Sequence, residues 1–140
     1  MLKGSTFVKG KMGVFHGHMS VDAVKSAAKK YDASINEYLV AVFIWAVYQE
    51  YLKGMPSVRP ITTSVPVNLR PYFNSVTTKN FFVMVTATFH PERENQPFED
   101  VITEVKQSLR EQITKEHLED IFSYNVTGER TMILPCSCHS

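Results

Sequence analysis

The chain has 140 residues, of which 44% are hydrophobic, enough apolar material for one domain with a core. Its formal net charge is +1 and it contains no lysine- or arginine-rich run, so composition argues against a nucleic-acid-binding role. The longest apolar run, Tyr38 to Tyr48, is too short to span a bilayer. Only two cysteines occur and no secretion signal opens the chain, which favours a cytoplasmic location.

The first third of the chain predicts a strand and a short helix. Residues 6–15 alternate loosely between apolar and polar positions, as in a strand, although Gly10 and Gly13 weaken the pattern. Ser20 is a suitable N-cap for a helix from Val21 to Tyr31 that has one apolar and one lysine-rich face.

A long apolar helix is predicted next. Ser34 and Glu37 have the spacing of a capping box, and the helix should run to about Lys53, where Gly54 ends it. Because its residues are apolar nearly all round, the helix should be buried on more than one side.

The second half predicts two strands and a long amphipathic helix. The strands are Ile61 to Val67, which contains Pro66, and Phe81 to His90, whose continuous apolar character suits a strand covered on both faces. The helix runs from Phe98 to Phe122. Together these elements predict an α+β fold with a small mixed sheet covered by helices, in the order β-α-α-β-β-α.

The predicted sheet has more apolar surface than the helices of this chain can cover. The residues from Phe81 to Val85 are all apolar, and three strands leave at least one long edge open. A partner is therefore expected, either a missing lobe or a second copy of the chain.

Arg70 stands at the end of the first of these strands, in the run VPVNLRPYFNSVTTKNFF that spans residues 65–82. A guanidinium is always charged and pairs well with a carboxylate or phosphate. No acidic residue is near it in sequence, so its partner should come from elsewhere; an ordinary surface arginine at a strand end is the alternative.

This run, with the helices on either side of it, resembles the C-terminal lobe of alcohol acetyltransferase-type proteins. These proteins belong to the chloramphenicol-acetyltransferase-like superfamily of coenzyme A-dependent acyltransferases, which also contains the condensation domains of peptide synthetases. The resemblance extends from about Val8 to Arg130, and its best-matched segments are Ser34 to Tyr51, Val65 to Phe82 and Pro97 to Asn125. Lys79 favours the alcohol acetyltransferase branch, which tolerates a basic residue at that position.

The resemblance implies a role for four residues. In the family, the arginine of this segment pairs with the aspartate of an HHxxxDG or HxxxD motif in the other lobe, and so braces the loop that carries the catalytic histidine. By resemblance Arg70 is that brace, while Asn68, Thr78 and Asn80 line the mouth of the acyl-donor tunnel. The co-substrate would be acetyl-CoA or another acyl-CoA, not tightly bound, and the acceptor a small alcohol.

The chain lacks the HHxxxDG motif in the family's position. The acyltransferase interpretation therefore implies that the catalytic histidine lies in a missing N-terminal lobe. His18 and Asp22 match HxxxD literally, which allows the alternative of a small intact enzyme with His18 as general base. Against this, Asp22 has an ordinary helix-start explanation and no glycine follows it. The stretch also aligns with the start of the family's C-terminal lobe.

Residues 1–130 are expected to form one acyltransferase-like lobe, and residues 131–140 a divergent, frayed tail. Cys136, Cys138 and His139 lie in that tail as a single cluster, so no metal site is expected. His16, His90 and His117 have no companion acid at a meaningful spacing, which indicates structural or solvent-facing roles.

The leading hypothesis is thus the C-terminal lobe of a coenzyme A-dependent alcohol O-acyltransferase, inactive without its N-terminal lobe. The alternative hypothesis is a non-catalytic interaction module, derived from such a lobe, that self-associates through its uncovered sheet.

Overall fold

The computed structural model describes residues 13–14, 16–73, 76, 81–114 and 116–120 of the chain. It is an α+β structure of six elements in the order α1 (Val21–Lys29), α2 (Ile35–Tyr51), β1 (Ile61–Asn68), α3 (Arg70–Phe73), β2 (Phe82–Phe89) and α4 (Phe98–Gln112). A further helical turn covers 116–120. The two strands form one antiparallel sheet, and α2 and α4 pack against it and against each other.

The predicted helix starts are confirmed. The Ser20 hydroxyl accepts a hydrogen bond from the backbone N–H of Ala23 at 3.4 Å and caps α1. At α2, Ser34 and Glu37 form the predicted capping box, each side chain accepting from the other's backbone N–H. Gly54, with φ of 70°, lies in the left-handed region just after α2, where glycine is favoured.

The register of the sheet places Pro66 opposite Met84 and Asn68 opposite Phe82. The backbone N–H groups of Thr86 and Thr88 bond to side chains of α4, so they point away from β1. By the two-residue repeat of a strand, Met84 also points its backbone groups away from β1. Pro66 therefore occupies a non-hydrogen-bonded pair, where its missing N–H costs the β1–β2 ladder nothing.

The core lies between the sheet and the two long helices. Alternate residues of both strands face it, and α2 and α4 each contribute a buried stripe. The most deeply buried large side chains include Ile44, Tyr48, Leu69, Phe89, Val105 and Leu109. Leu118, beyond the end of α4, is also fully buried.

The structure corrects the prediction that β2 is covered on both faces. Its residues alternate between exposed and buried, with Val83 and Val85 in the core and Phe82 and Met84 about half exposed. In the described part of the chain both α2 and α4 pack on one side of the sheet, which leaves the other side, here called the outer face, uncovered.

The predicted end of the last helix is also corrected, because α4 ends at Gln112 and does not continue to Phe122. The backbone of Ile113 leaves the helical region, with φ of −90° and ψ of 49°. A new turn then starts at Thr114, whose carbonyl accepts from the N–H of Leu118 at 2.9 Å. The apolar stripe continues across this break, so hydrophobic spacing alone did not reveal it.

The predicted strand over residues 6–15 falls almost wholly outside the described residues. Of that segment only Gly13 and Val14 are described, and neither belongs to a strand. The sheet that the structure describes is two-stranded and antiparallel. The described elements follow the order α-α-β-α-β-α, so the predicted order β-α-α-β-β-α is not confirmed. The loop predicted after Arg70 begins instead with the short helix α3.

Candidate functional site

The end of the sheet formed by the last residues of β1 and the first of β2 contains two of the predicted site residues, Asn68 and Arg70. Leu69 is fully buried there and donates its backbone N–H to the carbonyl of Phe81 at 3.0 Å, which extends the pairing of the two strands. The rings of Phe73 and Phe81 meet edge to face at a centroid distance of 6.1 Å. These contacts fix the backbone on both sides of Arg70.

Asn68 holds Arg70 directly. Its side-chain Oδ1 accepts hydrogen bonds from the backbone N–H of Arg70 at 3.2 Å and from Nη1 of the guanidinium at 3.1 Å. Asn68 is exposed and lies opposite Phe82, which is on the outer face. The guanidinium, half-buried and tied to this amide, therefore lies at the edge of the outer face with part of its surface open to solvent.

The outer face is apolar at this end of the sheet and hydroxylated at the other. Near Arg70 the neighbouring pairs are Asn68 with Phe82 and Pro66 with Met84, whereas further away Ser64 pairs with Thr86 and Thr62 with Thr88. Phe82 is 50% exposed and Met84 47% exposed. A fixed cation thus borders a small apolar strip, an arrangement suited to a protein surface or an amphiphilic anion.

His18 and Asp22, the other predicted site residues that are described, make no contact with this end of the sheet within the described residues. Thr78 and Asn80 lie outside the described residues. His18 and Asp22 flank the cap of α1; both are exposed, and neither side chain makes a hydrogen bond or ion pair within the described ranges. Among the residues that the structure describes, no acid–base pair is therefore assembled around His18.

A second feature, which the sequence did not reveal, is a row of α4 side chains along the edge of β2 that faces away from β1. Gln112 bonds both backbone groups of Thr86, Ser108 accepts from the N–H of Thr88 at 3.1 Å, and the Glu104 carboxylate accepts from the N–H of His90. Side chains four residues apart on the helix thus form hydrogen bonds with backbone groups two residues apart along the strand. The row covers the edge from Thr86 onward.

His90 has a companion acid that its sequence neighbourhood did not show. Its ring Nδ1 contacts the carboxylate of Glu104, fourteen residues further along the chain. The pairing arises because β2 and α4 run side by side, so only the tertiary packing could reveal it. His90 remains exposed, and its contacts with Glu104 serve to join β2 to α4.

A charged pair joins the N-terminus of α2 to α4. Nε of Arg110 donates to Oε1 of Glu37 at 2.7 Å, while the carboxylate also accepts from the backbone N–H of Ser34. Burial alone would raise the pKa of the Glu37 carboxyl, but these hydrogen bonds and the nearby positive charge outweigh it, so its pKa lies below the ordinary value. Glu37 is thus held ionised as a structural anion.

The helix α2 is apolar all round, as predicted, but within the described part of the chain it is buried along one stripe only. Ala41, Ile44 and Tyr48 are fully buried, while a second row is exposed to varying degrees. The exposed apolar residues of this row and its flanks are Ile35, Leu39, Val42, Phe43 and Trp45. In the described part of the chain, apolar surface is therefore exposed both on α2 and on the outer face of the sheet.

Among the described residues, no three histidine, cysteine, aspartate or glutamate side chains come together in a group that could hold a metal ion. The two cysteines lie outside those residues. No helix in the described part of the chain has both the length and the apolar character needed to cross a membrane.

No family model matches the chain, and neither the curated proteins nor the solved structures contain a significant match.

Proposed function

We propose that this chain is the C-terminal lobe of a coenzyme A-dependent O-acyltransferase, which moves an acyl group from a thioester to an alcohol. In this proposal the chain is inactive alone, because the histidine base belongs to a second lobe. The observation that carries the proposal is the fixed position of Arg70 beside uncovered apolar surface. The resemblance of residues 65–82 to the alcohol acetyltransferase type supplies the reaction class.

The position of Arg70 suits a brace between lobes. Its backbone and guanidinium are both held by Asn68 Oδ1, which reduces the freedom that the side chain would lose on binding. A guanidinium is a planar fork of N–H donors whose geometry fits a carboxylate. An aspartate on a facing lobe would pair with it, and the loop that carries this aspartate would be steadied.

The surface around Arg70 suits a packed interface. Phe82 and Met84 are about half exposed on the outer face at the same end of the sheet. Protein interfaces combine an apolar centre with a few oriented polar groups, and arginine is enriched among the residues that carry their binding energy. A lobe seated here would cover the apolar strip and bring its aspartate to Arg70.

The test is to express the whole reading frame that contains this chain and to measure transfer from acetyl-CoA to 1-butanol through release of free thiol. We expect the isolated chain to be inactive and the longer protein, if it carries an upstream HxxxD lobe, to be active. Arg70→Ala should lower kcat about 10- to 100-fold, since losing a hydrogen bond to a charged group costs about 1.5–3 kcal/mol.

Arg93→Ala is the matched control, because Arg93 is an exposed arginine beyond the opposite end of β2 and pairs with Asp100. It should leave kcat unchanged, and Arg70→Lys should recover only part of the loss because lysine lacks the planar fork. An active longer protein in which Arg70→Ala has wild-type kcat would refute the brace. A longer protein that has an HxxxD lobe but no transfer activity would refute the acyltransferase proposal.

A second candidate function is a non-catalytic interaction module that self-associates through the outer face. The exposed apolar strip at Phe82 and Met84 favours it, since a second copy could cover that strip as well as another lobe could. Light scattering after size exclusion distinguishes the two. A stable dimer of this chain without affinity for acetyl-CoA supports the module, and a monomer contradicts it.

A further inference from the structure

A groove lies at the end of β1 farthest from Arg70, between the last turn of α2 and the start of the strand. It has a volume of about 470 Å³ and is lined by Val47, Tyr51, Leu52, Ser57, Arg59, Pro60, Ile61 and Thr62. Small-molecule sites occupy roughly 300–1,000 Å³. The groove is thus large enough for a small ligand, and it is separate from the site proposed above.

The walls of the groove are mainly apolar. Val47, Leu52 and Ile61 are each partly exposed, so their side chains still present apolar surface to the groove. The ring of Tyr51 is 49% exposed. An alkyl chain laid along these walls would remove apolar surface from water on both partners.

One cation stands at the rim. Ser57 fixes the loop that carries Arg59, because its hydroxyl lies 2.9 Å from the carbonyl of Arg59 and accepts the Arg59 N–H at 3.1 Å. The backbone N–H of Ser57 is in turn tied to the carbonyl of Pro91 at 2.9 Å. Within the described residues the Arg59 guanidinium makes no ion pair or hydrogen bond, and no acidic side chain lines the groove.

From this combination of apolar walls and one rim arginine, we propose that the groove binds a medium-chain fatty carboxylate. The alkyl chain lies against Val47, Leu52 and Ile61, and the carboxylate meets the guanidinium of Arg59. A neutral alkane or alcohol would use the walls but not the arginine. A polyanion such as a nucleotide would find one cation only, so charge complementarity selects a monoanion with an apolar tail.

The test is titration of the full 140-residue chain, carrying isotope-labelled valine, leucine and isoleucine methyl groups, with hexanoate, octanoate and 1-octanol. Octanoate should give saturable shifts at Val47, Leu52 and Ile61. Each of its two additional methylene groups should raise the affinity above that of hexanoate by up to about fourfold, the value for complete burial. Octanoate should bind about two- to fivefold more tightly than 1-octanol, because an exposed ion pair contributes little more than that.

Arg59→Gln is the decisive variant. It should lower the affinity for octanoate to that for 1-octanol and leave the affinity for 1-octanol unchanged, since the walls are intact. Lys30→Gln, an exposed residue at the end of α1, makes the same change in net charge and should alter neither affinity. Because Arg59 is exposed, its replacement should not impair folding, and unchanged methyl spectra of the free variant would verify this.

Three results would overturn the proposal. One is equal affinity of the wild-type chain for octanoate and 1-octanol, and another is an octanoate affinity that Arg59→Gln leaves unchanged. The third is shifts that do not saturate or that centre on the exposed row of α2 at Leu39 and Val42, which would mean non-specific adsorption.

Discussion

The side-chain amide of Gln112 pairs with both backbone groups of Thr86. Its Oε1 accepts the Thr86 N–H at 2.9 Å and its Nε2 donates to the Thr86 carbonyl at 2.6 Å. An amide side chain from a helix thereby takes the place of a neighbouring strand. Helix α4 thus closes the edge of β2 at this point.

Gln112→Ala should open that edge. We expect a loss of about 1–2 kcal/mol in the free energy of unfolding, because two backbone hydrogen bonds are replaced by bonds to water. Urea denaturation measures this loss, and faster hydrogen exchange at the Thr86 amide should accompany it.

The control is Gln107→Ala on the same helix. Within the described residues the Gln107 side chain bonds to Glu111 alone, so its loss should change stability by less than about 0.5 kcal/mol. Equal stability of the two variants would contradict the role given to Gln112.

Glu37 predicts an acid dependence of stability. Its carboxyl has a pKa below the ordinary value of 4.5, so between the lowered pKa and 4.5 the unfolded chain binds more protons than the folded one. Its contribution is therefore present above about pH 4.5 and lost as the pH falls through the folded pKa.

Glu37→Gln should flatten the fall in unfolding free energy below pH 4.5, the ordinary carboxyl pKa, and Glu94→Gln, in an exposed loop, should leave the slope unchanged. Chemical denaturation between about pH 3 and pH 7 provides the comparison, because carboxyl groups titrate in the lower part of this range and are ionised at its upper end. An unaltered slope in Glu37→Gln would show that this carboxyl does not carry the linkage.

Tyr48→Phe should destabilise the joint between two loops. The buried hydroxyl lies 2.7 Å from the carbonyl of Gly54 and 2.9 Å from that of Arg93, and it accepts the N–H of Gln96 at 3.1 Å. Removing it leaves buried backbone groups without their partner, which costs about 1–3 kcal/mol. Thermal unfolding measures the change.

Tyr38→Phe provides the comparison for Tyr48→Phe. Within the described residues the Tyr38 hydroxyl makes no hydrogen bond, and its ring packs edge to face on Phe98. A change below about 0.5 kcal/mol is expected. If Tyr48→Phe lowered the free energy of unfolding no more than this control does, the stabilising role given to the Tyr48 hydroxyl would be wrong.

Met84→Lys should weaken any association through the outer face. The new ammonium group would have to lose its hydration shell in a contact that now buries a thioether, so we expect a dimer dissociation constant at least tenfold higher, about 1.4 kcal/mol. Ser64→Lys, further along the same face, should have a smaller effect. Sedimentation equilibrium measures both dissociation constants. Equal effects of the two substitutions would show that the contact is not centred at the Arg70 end of the face.

Local signals in the sequence were sufficient for the helix starts and for β1. The caps at Ser20 and Ser34 depend on residues three positions apart, and β1 was predicted to within one residue because its β-branched run is bounded by loop residues. Features that depend on distant residues were missed. The break at Ile113 was hidden because the apolar stripe continues to Leu118.

For the candidate site too, the sequence predicted local positions but not contacts between side chains. Arg70 was singled out by its place at a strand end, but its attachment to Asn68 and the pairing of His90 with Glu104 depend on side-chain geometry. The sequence indicated that the apolar run from Phe81 to Val85 exceeds what the helices can cover, but not which of its residues face outward. The structure shows that Phe82 and Met84 are about half exposed.

The position of Pro66 opposite Met84 helps to fix the register of the two strands. A slip of one residue would set Pro66 against Val83 or Val85, whose backbone groups point toward β1, and a bond of the ladder would be lost. The same slip would turn Val65 and Val67 outward. Lengthening or shortening the connection between the strands should therefore be absorbed within the connection itself, leaving Arg70 at the same corner of the sheet.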